Sequence, residues 1–221
     1  TVRVGVTPTF SVALLPQCAK RFLDLHAAAN LVILESTPED IGRQLMLEEL
    51  DLGIAYPPIE TEGLWCESLF EEEMVVLVSP EHKLLRLRRL RWVDLHGERV
   101  VLPASYFSIR ESLDAYLKVA GSTPVIAAEV SAIATAVALA RDTDLAAIVP
   151  ESVAFGESEL QLLRIERPVP IRHPSLYLKR GRRQPALVKV METLIREAAA
   201  SHASQARKRG IVRRRGRLKR P

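Results

Sequence analysis

Six hydroxyl side chains stand where this chain turns from strand towards helix: Thr7, Thr9, Ser36, Thr37, Ser105 and Ser131. A hydroxyl offers one donor and two acceptor lone pairs. The start of a helix adds backbone N–H groups without intrahelical partners, at the positive end of the helix dipole. Hydroxyls and helix starts together suit a small anion. Each hydroxyl taken singly fits a helix cap equally well. Convergence of several on one surface is what would make a site. Pro8, Phe10, Tyr56, Pro103 and Ile133 flank them and would shape its wall.

Bond-making chemistry is poorly represented. G-x-S-x-G, H-E-x-x-H, C-x-x-C, the P-loop and G-x-G-x-x-G are all absent. The histidines (His26, His82, His96, His173, His202) are scattered, and none has metal-ligand spacing with another. They read as surface or hydrogen-bonded residues. Glu71-Glu72-Glu73 could form an acidic site, but it alternates along a strand and reads as a solvated edge. Cys18 and Cys66 are too few for a disulfide scaffold, and Cys18 sits in an amphipathic helical pattern as a buried thiol. No catalytic residue, metal or cofactor is expected, and the chain is not expected to be an enzyme.

The elements that position the hydroxyls follow a repeated plan. Val2–Val6 alternates and is rich in Val, so it reads as a strand. Leu14, Cys18, Phe22 and Leu25 then recur at helical steps. A second strand spans 31–34. Ser36 or Thr37 caps the next helix, with Pro38 in its first turn and Glu39 and Asp40 at its positive end. A third strand spans 52–56 and stops at Pro57-Pro58. This alternation builds a parallel sheet with helices on both sides. Strands at 67–69 and 74–79 follow, the second apolar enough to be central. Arg86–Arg91 reads as a solvated basic loop. The plan restarts with strands at 100–102, 125–130 and 145–149. Between them lie helices at 109–119 and from 131 to 141, the latter capped by Ser131. Strands at 160–165 and 175–178 precede a final helix from Gln184, whose pattern fades through Ala198–Ala200.

Two α/β units imply two Rossmann-like lobes. Residues 1–79 with 166–200 form lobe I, 80–165 lobe II, and 201–221 a basic tail. The crossings fall near Val78–Pro80 and Ile165–Pro168. Ligands of such folds bind beyond the C-terminal strand ends, here also in the cleft between lobes. That places Thr7, Pro8, Thr9, Phe10, Ser36, Thr37 and Tyr56 on one side and Pro103, Ser105, Ser131 and Ile133 on the other.

Composition agrees with a globular chain: 221 residues, 48% hydrophobic and 26% charged. The net charge of +4 misleads, because nine Lys/Arg and no acid lie in 205–221. The remainder carries 22 basic against 27 acidic residues, which excludes a basic nucleic-acid-binding body but not a nucleic-acid-binding tail. No apolar run approaches the ~18 residues of a membrane helix, and the opening residues lack a signal-peptide layout. No membrane association is expected, and a cytoplasmic location is.

The residues also carry a resemblance. Val4-Gly-Val-Thr-Pro-Thr-Phe10 followed by Leu15-Pro16 resembles the first strand and helix of the effector-binding half of LysR-type transcriptional regulators. Leu50-Asp-Leu-Gly-Ile-Ala55, the stretch Leu69–Pro80 with Glu81-His-Lys-Leu84, and Ala146-Ala-Ile-Val-Pro150 resemble later signatures of that family, in the same order. The resemblance covers residues 1–200. Within the family, three segments are similar to the cyanate-responsive subgroup: Thr7–Phe10, Phe107-x-x-Arg110-x-x-x-Asp114-x-Tyr116 and Glu129-x-Ser131-x-Ile133-x-x-Ala136-Val137. The resemblance implies a type 2 periplasmic-binding-protein-like fold and an effector held in the interlobe cleft, and the hydroxyls and helix starts make that effector a small anion. It also implies an antiparallel homodimer, built from helices at 11–27 and about 108–120, with a higher oligomer in a full-length protein. DNA would be contacted only through a helix-turn-helix absent from this chain. The Arg-rich tail departs from the family pattern. A free-standing periplasmic-type solute-binding protein shares the fold and is the alternative.

Overall fold

Strands β1 (Val2–Val6) and β3 (Leu52–Ala55) show how side-chain alternation builds the first sheet. Val2, Val4, Val6, Leu52 and Ile54 face one side; Gly5, Gly53 and Ala55 face the other. The computed structural model describes residues 1–57, 62–105, 107–155 and 157–216, with side chains at all of these except 108, 155 and 206–216. Between β1 and β3 lie α1 (Pro8–Ala13), α2 (Leu15–Leu25), β2 (Leu31–Glu35) and α3 (Pro38–Met46). The single amphipathic helix expected at 11–27 is two, broken at Leu14. Pro16 has no N–H to continue the hydrogen-bond ladder across that point.

The chain continues through β4 (Leu64–Ser68), β5 (Glu72–Val78), β6 (Arg99–Pro103), α4 (Ser108–Val119), β7 (Val125–Val130), α5 (Ile133–Asp142) and β8 (Ala146–Pro150). It ends with β9 (Gln161–Arg164), β10 (Ile171–Arg172), β11 (Ser175–Lys179) and α6 (Ala186–Gly216). The basic segment 86–91 begins in a short 3-10 turn over Lys83–Arg86 and is otherwise irregular. Helix α6 does not fade at Ala198–Ala200 but runs on through Gly216. Ala, Gln, Lys and Arg are good helix formers, so a charge block need not end a helix. Residues 217–221 of the basic tail lie outside the described residues.

Two compact units result: residues 1–72 with 172–221, and residues 73–171. The first holds the sheet β2-β1-β3-β11-β4. β1 runs parallel to β2 and β3, while β11 runs antiparallel to β3 and β4. One face packs on Phe10, Phe22, Met191, Leu194 and Ile195 from α1, α2 and α6, and on Leu14 at the break between α1 and α2. The other packs on Ile41 and Leu45 of α3. Gly5 and Gly53 stand side by side under α3. A Cβ at Gly53 would lie 2.5 Å from Ile41 Cγ2, so the glycine permits this close approach.

The second sheet has the order β10-β5-β8-β6-β7, with β9 also paired to β5. β6 runs parallel to β7 and β8, and β5 antiparallel to β8 and β9. Met74–Val78 is buried on both faces, as its continuous apolar run requires. Met74, Val76 and Val78 pack with Leu113 and Leu117 of α4; Val75 and Leu77 pack with Ala136, Val137 and Ala140 of α5.

Candidate functional site

Parallel pairing puts the C-terminal ends of β1, β2 and β3 on one edge of the first sheet. Thr7, Pro8, Thr9 and Phe10 follow β1, Ser36 and Thr37 follow β2, and Tyr56 follows β3. Backbone bonds tie these ends together: Thr7 N–H donates to Ile54 O at 3.1 Å, and Ser36 N–H to Val6 O at 3.0 Å.

The residues on this edge are used differently. Phe10 and Tyr56 are buried, with ring centroids 4.9 Å apart. Thr9 is also buried, and its hydroxyl lies beside the Tyr56 phenol. The Thr7 hydroxyl is buried at the start of α1, does not cap that helix and has no hydrogen-bond partner among the described residues. Thr37 does cap: its Oγ1 accepts the Asp40 N–H at 3.2 Å. Its oxygen is thereby committed to α3. Pro8 and Ser36 are half-buried. With only six residues, α1 is too short to supply the helix-dipole site expected at Thr7–Pro8.

Two charged residues beside Tyr56 were missed by sequence reasoning. Glu72, the last residue of the first unit before the crossing, is 4% exposed and accepts a hydrogen bond from the Tyr56 phenol. The acidic triplet is therefore not a uniformly solvated edge. Alternation turns Glu72 inward while Glu71 is exposed. Arg172, where the chain returns to the first unit, lays its guanidinium carbon 3.2 Å from the Tyr56 ring centroid. Burial, and then the Glu72 charge, pushes the Tyr56 phenol well above its ordinary pKa, while Arg172 and Thr9 pull the other way. Nothing in the sequence marks Arg172, which ends a two-residue strand.

In the second unit, parallel pairing gathers the ends of β6, β7 and β8 in the same way. Pro103 is half-buried at the end of β6, Ser105 is exposed, Ser131 is exposed after β7, and Ile133 opens α5 half-buried. The N-cap of α5 is Ala132, with no side-chain cap, so Ser131 does not take the capping role expected of it. Arg110 is buried at this edge and fully engaged. It contacts Asp114 at 3.0 Å, Glu129 at 2.7 Å and the Pro103 carbonyl at 2.9 Å. The segment Phe107–Tyr116 and the segment from Glu129 are thus joined by one guanidinium that fixes the ends of β6 and β7 to α4.

Among the described residues, no group of three or more His, Cys, Asp or Glu could hold a metal ion. No helix there is long and apolar enough to cross a membrane.

Comparisons with known proteins agree on what such an arrangement belongs to. The model of the LysR substrate binding domain matches residues 1–200. The HTH-type transcriptional regulator PcaQ of Agrobacterium fabrum is 26% identical over 160 residues, which is 71% of this chain and 51% of that protein. The chain spans about half the length of the curated relatives it matches. The effector-binding domain of QuiR in complex with shikimate superposes with a TM-score of 0.69 at 17% identity, covering 91% of this chain and 97% of that one. The BenM effector-binding domain with its effector benzoate gives 0.70 at 17% identity, covering 90% and 92%. At such identities these neighbours establish the type 2 periplasmic-binding-protein-like α/β fold. The match does not reach the cyanate-responsive subgroup. On the family model over residues 1–200, the chain belongs to the LysR substrate-binding domain family.

Proposed function

We propose that this chain is the ligand-sensing part of a longer LysR-type transcriptional regulator and that its effector is a small anion. The carrying observation is the strand-end edge of the first unit, where Thr7, Thr9, Phe10 and Tyr56 lie close together. There the buried Thr7 hydroxyl has an unmet hydrogen bond. A buried unpaired hydroxyl costs about 1–3 kcal/mol, which a bound partner would recover. Pro8 and Ser36 border this set, and in the second unit Pro103, Ser105, Ser131 and Ile133 stand at the corresponding strand ends. Shikimate and benzoate, named with two structural neighbours, are both carboxylates, which supports an anionic effector here.

The effector works by binding one arrangement of the protein more tightly than another, not by tight binding alone. The working assembly is a homodimer in the cytoplasm. A helix-turn-helix elsewhere in the full-length protein makes the DNA contact. No catalytic step is assigned to any residue. A thermal-shift screen of small carboxylates, with the mass of each complex measured by light scattering, tests this reading. A ligand that binds the native state alone raises the melting temperature by mass action. Saturable stabilisation of a dimer supports it; stabilisation of a strict monomer points instead to a solute-binding protein.

A further inference from the structure

The charges around the strand-end edges are unequally compensated. Arg110 is buried and spent on Asp114, Glu129 and the Pro103 carbonyl. Arg164 and Arg167 pair with Glu73, and at the opposite end of the first sheet Arg3 and Arg182 pair with Asp51. Arg172 differs. It is half-buried, stacks on the Tyr56 ring and makes no ion pair among the described residues. Stacking on an aromatic face occupies the plane of a guanidinium and leaves its in-plane N–H donors free. Those donors form the fork that matches a carboxylate in two parallel hydrogen bonds. Glu72 is the nearby counter-charge, but it is 4% exposed and its carboxylate is engaged by the Tyr56 phenol. The phenol is committed to that bond, so it is not free to donate to a ligand. What this edge presents to solvent is therefore the positive group.

We infer that Arg172 is the residue that selects a carboxylate effector, gripping it from its stacked position on Tyr56 beside Thr9 and Thr7. The inference rests on the effector-sensing function proposed above and assigns the charge recognition of that site to one side chain. Because Tyr56 is held by Glu72, Thr9 and Phe10, the guanidinium sits on a fixed platform, and less is lost in ordering it on binding.

Calorimetric titration of the 221-residue chain with benzoate, shikimate and the neutral benzamide tests the assignment, on the unsubstituted protein, Arg172→Gln, Arg172→Lys and Thr9→Ala. The unsubstituted chain should bind at least one acid and prefer benzoate to benzamide by tenfold or more. Arg172→Gln should abolish that preference, Arg172→Lys should keep part of it, and Thr9→Ala should weaken acid and amide alike. An Arg172→Gln chain that keeps the full preference overturns the assignment while leaving an anionic effector in place. No binding of either acid, or equal binding of acid and amide, by the unsubstituted chain contradicts the anionic-effector reading itself. Arginine side-chain NMR of the unsubstituted protein guards against a misfolded variant. Added benzoate must shift the Arg172 Nε–Hε signal saturably, and a signal that stays still overturns the assignment on its own.

Discussion

At Tyr56, burial and the Glu72 carboxylate keep the phenol protonated, while Arg172 stacks on the ring and Phe10 packs beside it. Removing the Thr9 hydroxyl takes one polar group away from this set. Thr9→Ala should weaken benzoate or shikimate binding by about 1 kcal/mol, roughly fivefold, with the oligomeric mass unchanged. Unchanged affinity in titration would remove Thr9 from the site. A second residue-scale prediction concerns pH. His202 is 3% exposed in α6 and stacks on Phe70 with ring centroids 6.0 Å apart. Burial lowers its pKa from the ordinary 6.5, so the folded state binds this proton less readily than the unfolded chain. Its stabilising contribution is present above about pH 6.5 and is lost as pH falls through the lowered value. Replacing His202 by Phe should flatten the fall in melting temperature between about pH 7 and pH 5. A profile as steep as before would place the acid sensitivity in other groups. The burial of His202 was not legible in the sequence, because the helical pattern there gives way to charge. Glu72 was visible in the acidic triplet, but no local pattern says which carboxylate of three turns inward. The hydroxyls were legible because they follow strand ends, whereas a pairing such as Arg172 on Tyr56 depends on strands far apart in the chain.

Among the elements, the strand–helix alternation was readable because apolar residues repeat every two or every three to four positions. Thr37 was legible as a cap because Thr-Pro-Glu-Asp satisfies several helix-start requirements at once. Ser131 was not, since the helix opens one residue later and leaves that hydroxyl exposed. The break at Leu14 followed from Pro16, a signal outweighed by a strong amphipathic pattern across it. Arg110 shows how elements are locked after they form. It is 7% exposed and joins α4 to the ends of β6 and β7. Arg110→Ala would strand Asp114 and Glu129 without their cation and leave a gap at that edge. Both carboxylates are partly exposed, so the cost should be about 2–3 kcal/mol, at or below that of breaking a fully buried pair. Urea denaturation checks this. A midpoint within error of the unsubstituted protein would show that water compensates these groups fully.

For the whole molecule, the division into two α/β units was legible because the same alternation starts twice. The sheet order was partly legible: parallel neighbours followed from the alternation, while the antiparallel insertion of β11 between β3 and β4 came from the far end of the chain. The family was reached from four short motifs in order, and the family model covers the same residues, 1–200. Dimer mass is the first whole-molecule prediction: light scattering should give twice the 24.6 kDa of one chain. The most direct test of carboxylate sensing is a thermal-shift titration of the 221-residue chain with a panel of small carboxylates and their neutral amides. At least one carboxylate should raise the melting temperature saturably, by an amount equivalent to about 2.7 kcal/mol at a hundred times its Kd, while its amide does not. A panel in which no carboxylate stabilises the protein, or in which acids and amides stabilise it equally, would contradict it.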